Sequence, residues 1–164
     1  SDLIKKLILL AAITLTGFIA EAQTKLLYDT AANAEKDIAY AVMVAKSQKK
    51  HVLIQAGGNW CVWCLRFEDF IKKDSAINDL IQKNYIVYHL NWSKENENKK
   101  TFAKLGFPHR FGFPVFIILN AKGERIHTQN SEYLEEGKGY SVAKVKAFLE
   151  MWTARAVDPA MYGM

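Results

Sequence analysis

The spacing of hydrophobic positions changes several times along the chain, and each change marks an expected element. Between residues 29 and 48, Ala34, Ile38, Ala41, Val42 and Ala45 recur at helical spacing, with Asp29, Thr30 or Asn33 available as a cap. The contiguous run "HVLIQA" (51–56) then reads as a buried central strand, broken by Gly57 and Gly58. A helix is expected from near Cys61 to about Lys73, and a second over 74–84 behind a capping Asp74 or Ser75. "YIVYHLNW" (85–92) predicts a strand, "SKENENKK" (93–100) a solvated polar segment, and "TFAKLGF" (101–107) a short helix. "PVFIILN" (114–120), "AKG" (121–123) and "ERIHTQ" (124–129) read as strand, turn and hairpin partner. Val142, Val145, Phe148 or Leu149, and Trp152 mark an amphipathic helix over 141–152, whereas 153–164 carries no assignment. Strands alternating with helices, then a hairpin and a closing helix, predict an α/β sandwich with a central mixed sheet flanked by helices. No internal repeat or linker interrupts it, so a single domain is expected over 23–164.

Composition narrows the class. Half of the 164 residues are hydrophobic and 12% are aromatic, which excludes a disordered chain. The formal charge of +5 is spread along the sequence, with its densest cluster only "KSQKKH" (46–51), so no nucleic-acid partner is expected. Near the start, Lys5 and Lys6 precede the uncharged apolar run "LILLAAITLTGFIA" (7–20) and the small-residue site "AEA" (20–22). The three features together predict a secretory signal peptide over 1–22, cleaved before Gln23. The apolar run falls short of the about 20 residues that span a bilayer, so no stable membrane insertion is expected after cleavage. A periplasmic or secreted location follows.

Export places the two cysteines of the chain, Cys61 and Cys64, where disulfides persist. Two thiols two residues apart can join, bind a metal or simply pack. A structural zinc site takes four ligands, and His51, His89, His109 and His127 show no H-x₃₋₅-H spacing, which weighs against a metal. Two cysteines are also too few for a stapled scaffold. A redox pair is favoured, with an inert bridge as the alternative. The pair stands where a helix begins after the central strand, and the free N–H groups of a first helical turn stabilise a thiolate.

"NWCVWC" (59–64) after the strand "VLIQA" (52–56), the segment "GFPVFIIL" (112–119), the turn "NAKGE" (120–124) and the front helix "AEKDIAYAVMVAKSQKKHVLI" (34–54) together resemble the thioredoxin superfamily, most of all its exported branch with a W-C-x-W-C-type motif. The resemblance covers about residues 28–152. It implies a thioredoxin-like sandwich and a thiol–disulfide oxidoreductase. Cys61 would be the attacking and more exposed thiolate, Cys64 the resolving thiol, Pro114 a cis proline, and Phe113 the residue whose backbone pairs with an extended substrate. Pro108 is a rival to Pro114, but only Pro114 directly precedes an apolar strand. Trp60 would pack beside the pair.

One position departs from that family. Where many thioredoxins carry a buried acid, this chain has Gln55, which can hydrogen-bond but cannot take a proton at neutral pH. Glu68, four residues after Cys64 and on its helix face, is the expected substitute, partly buried with a raised pKa; the alternative is a solvated or salt-bridged glutamate. The dipeptide Val62-Trp63 brings no charge to the pair, which leans toward a reductase or isomerase rather than a primary oxidant. Such a cycle needs no bound cofactor. Its partners would be protein or peptide disulfides and thiols, and a redox protein that resets the pair. The second class of function is a redox-inactive module that binds polypeptides along the Pro114 edge.

Overall fold

The computed structural model describes residues 25–164, so the expected signal peptide over 1–22 lies outside the described residues. Among the described residues the first helix, α1 (Ala34–Gln48), starts where the Asn33 side chain accepts a hydrogen bond from the Lys36 amide. It stops at Lys49, whose left-handed backbone (φ 56°) turns the chain into β1 (His51–Gly57). Helix α2 (Val62–Lys73) follows, then α3 (Ser75–Asn84), capped by Asp74 through the Ile77 amide. After β2 (Tyr85–Asn91) come the short α4 (Lys99–Lys104), β3 (Val115–Leu119) and β4 (Arg125–Asn130). The two-residue strands β5 (Glu135–Glu136) and β6 (Gly139–Tyr140) lead into α5 (Val142–Met151).

The main sheet has the order β2-β1-β3-β4; β1 pairs parallel with β2 and antiparallel with β3, and β3 antiparallel with β4. The sheet is therefore mixed, and β1 and β3 are inner strands buried along their whole length. Their alternation separates two cores. Val52, Ile54, Ala56, Val115, Ile117 and Leu119 face α1 and α4 through Ala41, Ala45 and Phe102. Leu53, Phe116 and Ile118 face α2, α3 and α5 through Phe67, Ile77, Ile81, Val145 and Leu149. Gln55 alternates with Ile54 and Ala56 and so shares the side of Leu53, under α2.

Several details differ from the sequence expectation. The helix read over 101–107 forms earlier, because Gly106 (φ 78°) and Phe107 (φ 56°) take positive φ and end it. Pro108–Phe111 is a 3₁₀ turn, as is Ser131–Leu134, and the tail holds another at Pro159–Tyr162. Among the described residues no helix is long and apolar enough to cross a membrane.

Candidate active site

At the carboxyl end of β1 the chain turns through Gly57-Gly58-Asn59-Trp60, and the Cys61 amide donates to the Gly58 carbonyl at 3.0 Å. Cys61 then occupies the N-cap of α2, with extended backbone, and its Sγ accepts the Cys64 N–H at 3.2 Å. Sulfur thus takes the role that Ser or Asp oxygen takes at most helix starts. Cys61 and Cys64 are joined as a disulfide. The expectation of an exposed Cys61 is not met in this oxidised state: it is 4% exposed and Cys64 is 0% exposed. The order of exposure is the expected one, but Tyr28, Leu27, Trp63 and Phe113 close around both sulfurs.

Gly57 has no room for a side chain. A methyl group on it would collide with Cys64 Sγ and lie 2.8 Å from Tyr28 Oη. Tyr28, from the segment ahead of α1, is fully buried here. Asn59 holds it from the active-site turn: the Tyr28 N–H donates to Asn59 Oδ1, and Asn59 Nδ2 donates to the Tyr28 carbonyl, both at 2.9 Å. Gln55 lies beneath the pair, nearly inaccessible, with Nε2 3.4 Å from the Cys64 carbonyl oxygen. Burial pushes the Tyr28 hydroxyl above the ordinary phenol range, which the neighbouring Gln55 only partly offsets.

The Phe113–Pro114 peptide is cis, while Pro108 opens the 3₁₀ turn. Phe113 packs on the cysteine cluster and on Trp92. Trp60, expected to pack beside the pair, meets the cysteine cluster through Phe113. It is 56% exposed, donates Nε1–H to the Trp92 carbonyl at 2.7 Å, and meets Phe113 edge-on at 5.6 Å. The tryptophan that packs on the cysteines is Trp63, braced by Tyr140, whose hydroxyl donates to the Trp63 carbonyl at 3.1 Å. The reason is local: Trp60 precedes the N-cap and leaves the helix axis, whereas Trp63 lies in the first turn, facing inward.

Glu68 corrects a second expectation. Its carboxyl is held below the usual carboxylate range, not above it, because the His89 imidazole stands beside it, outweighing burial, with Lys72 assisting. His89 Nε2 is 3.7 Å from one carboxylate oxygen and Lys72 Nζ 3.6 Å from the other. A carboxylate held charged is a weaker proton acceptor than the expected raised one. Sequence reasoning missed Tyr28, Asn59 and His89; only the Asn59-Trp60-Cys61 succession hinted that Asn59 belonged to the site. Among the described residues no three His, Cys, Asp or Glu side chains gather as a metal site.

A sequence profile described as thioredoxin-like matches residues 33–121, which include every strand of the main sheet up to β3 and both cysteines. The disulfide bond reductase DsbH of Chlamydia pneumoniae is 25% identical over 121 residues, spanning 68% of this chain and 71% of that protein. Among solved structures, a disulphide isomerase from Xylella fastidiosa Temecula1 superposes with a TM-score of 0.67 at 24% identity, over 77% of this chain and 96% of the other. A thioredoxin from Thermus thermophilus gives 0.54 at 16% identity, over 77% and 88%.

Proposed function

The chain belongs to the thioredoxin-like family, and on that premise we propose that it is an exported thiol–disulfide oxidoreductase, acting as a reductase or isomerase on protein disulfides. The observation that carries this reading is the sulfur-capped helix. Cys61 Sγ takes the Cys64 N–H at the positive end of α2, the environment that holds a thiolate at neutral pH.

The reaction follows from that geometry. In the reduced protein the Cys61 thiolate attacks one sulfur of a substrate disulfide; a mixed disulfide forms and the other substrate sulfur leaves as a thiolate. Cys64, as thiolate, then attacks Cys61 Sγ; the mixed disulfide breaks, the second substrate thiol departs, and the Cys61–Cys64 bond closes. Two electrons have passed to the substrate, and a dithiol protein must return two electrons and two protons to reopen the pair. No bound cofactor takes part. Phe113 and Trp60 supply the apolar ledge beside the sulfurs on which an extended substrate lies, its backbone pairing at Phe113-Pro114. The uncharged Val62 and Trp63 supply no cation to stabilise the reduced thiolate, which supports the reductive direction. The residues that support export are Lys5, Lys6, the apolar run 7–20 and "AEA".

The test is turnover of insulin disulfides with dithiothreitol, in the unmodified protein and in Cys61→Ser. Turnover that is lost in the variant supports the reading; peptide binding without turnover in the unmodified protein replaces it with a redox-inactive binding module, which Gln55 would suit. A reduction potential near about −270 mV supports a reductase, and one above about −180 mV an oxidant or isomerase. Export is tested by mass spectrometry of the protein from a Gram-negative host: a periplasmic chain beginning at Gln23 supports it, a full-length cytoplasmic chain refutes it.

A further inference from the structure

Four buried side-chain atoms find no hydrogen-bond partner among the described residues, and two of them, Tyr28 Oη and His89 Nε2, stand at the cysteine site. His89 Nε2 stands 3.7 Å from a Glu68 carboxylate oxygen. The Tyr28 hydroxyl has no such partner. Gln55 stands close enough to lower the hydroxyl's pKa, but it meets no hydrogen-bond geometry with Oη and turns Nε2 toward the Cys64 carbonyl. An orphaned buried hydroxyl is costly, and tyrosine normally pairs its hydroxyl when buried. Sulfur is the acceptor at hand: Tyr28 Oη and Cys64 Sγ crowd the same face of Gly57, and both residues belong to one closed cluster.

In the oxidised protein that sulfur is a poor acceptor, neutral and bonded to Cys61. Reduction changes this. Two electrons and two protons from a dithiol break the sulfur–sulfur bond and leave two thiols, and transfer of the Cys64 proton to solvent water makes its Sγ a charged acceptor. A hydrogen bond to such an anion is about twice as strong as a neutral one.

We propose, resting on the oxidoreductase reading above, that Tyr28 is a redox-linked positioning residue whose buried hydroxyl donates to Cys64 Sγ once the disulfide opens. It thereby favours the reduced pair and holds the resolving sulfur ready as a thiolate. The hydroxyl keeps its own proton throughout, so it replaces the missing acid at Gln55 as a fixed donor and not as a base. Glu68 from α2 and Tyr140 from β6 act on the Tyr28 hydroxyl through their charge, and His89 from β2 stands edge-on to its ring at 5.4 Å.

The test is Tyr28→Phe in the full chain, equilibrated in dithiothreitol redox buffers. Loss of the donor is expected to shift the equilibrium about tenfold toward the disulfide, or about 30 mV to more negative potential. It should also raise the Cys64 thiol pKa, read by alkylation in a Cys61→Ser background, and leave the oxidised form at least as resistant to urea. An unchanged redox equilibrium, or equal destabilisation of both redox forms, overturns the proposal. Should the variant not fold, a crystal structure of the reduced unmodified protein decides: Tyr28 Oη within hydrogen-bond distance of Cys64 Sγ supports it, and a hydroxyl turned elsewhere overturns it. The redox equilibrium is measurable without any substrate. A shift without insulin turnover would therefore sink the enzymatic reading and keep this one, and turnover without a shift would do the reverse.

Discussion

Asn59 and Tyr28, 31 residues apart, are bound by a reciprocal pair of backbone hydrogen bonds through one carboxamide, each 2.9 Å long. The active-site turn and the segment ahead of α1 are therefore one unit. Asn59→Ala removes both bonds and leaves a partly buried N–H and C=O to find water. The expected cost is about 1–3 kcal/mol, measured by urea unfolding, with faster hydrogen exchange at the Tyr28 amide. A loss of stability without faster exchange there would show that Asn59 does not hold this segment.

Gly57→Ala is expected to destabilise by roughly 1–3 kcal/mol, because the added methyl group meets Cys64 Sγ and Tyr28 Oη. The penalty has an internal check. In a Tyr28→Phe background the hydroxyl is gone, so the two changes should couple by at least about 0.5 kcal/mol. Strict additivity would mean that the crowding at Gly57 does not involve the tyrosine.

Glu68→Gln tests the carboxylate. Its folded pKa is depressed by His89 first and Lys72 after it, so its contribution is present above the unfolded glutamate pKa of about 4.3 and is lost as pH falls through the lower folded value. Solvent screening keeps it small, about 0.5 kcal/mol at pH 7. Urea midpoints at pH 7 and near pH 3 should show a gap that closes in acid. A gap that persists in acid would assign the effect to packing instead of charge. The pH profile of disulfide exchange, by contrast, should move little, because a carboxylate held charged is not poised to carry the proton.

Much of the sandwich was legible because burial on one or two faces leaves a period. The runs at 52–54 and 114–119 are apolar without interruption since β1 and β3 are inner strands covered on both sides. Helices α1, α2, α3 and α5 repeat every three or four residues because each buries one stripe. The helix start at Cys61 was readable from the two glycines and the C-x-x-C spacing. Less was legible where a residue's environment is built by distant chain. Tyr28 sits between Leu27 and Asp29 in no periodic pattern, and its burial depends on Asn59, Gly57 and Cys64. The direction of the Glu68 shift depends on His89, which β2 delivers from 21 positions further along. β5 and β6, two residues each, are too short to show any alternation.

The amide of Gln55 beneath the cysteines has a consequence of its own. An amide carries the same charge at every acidity, so the floor under Cys64 does not change character when the surroundings sour or sweeten. A carboxylic acid in that spot would switch between donor and anion and would drag the sulfur chemistry with it. Here the floor is constant, and any acid dependence of the pair must enter from the sulfurs themselves or from the rim.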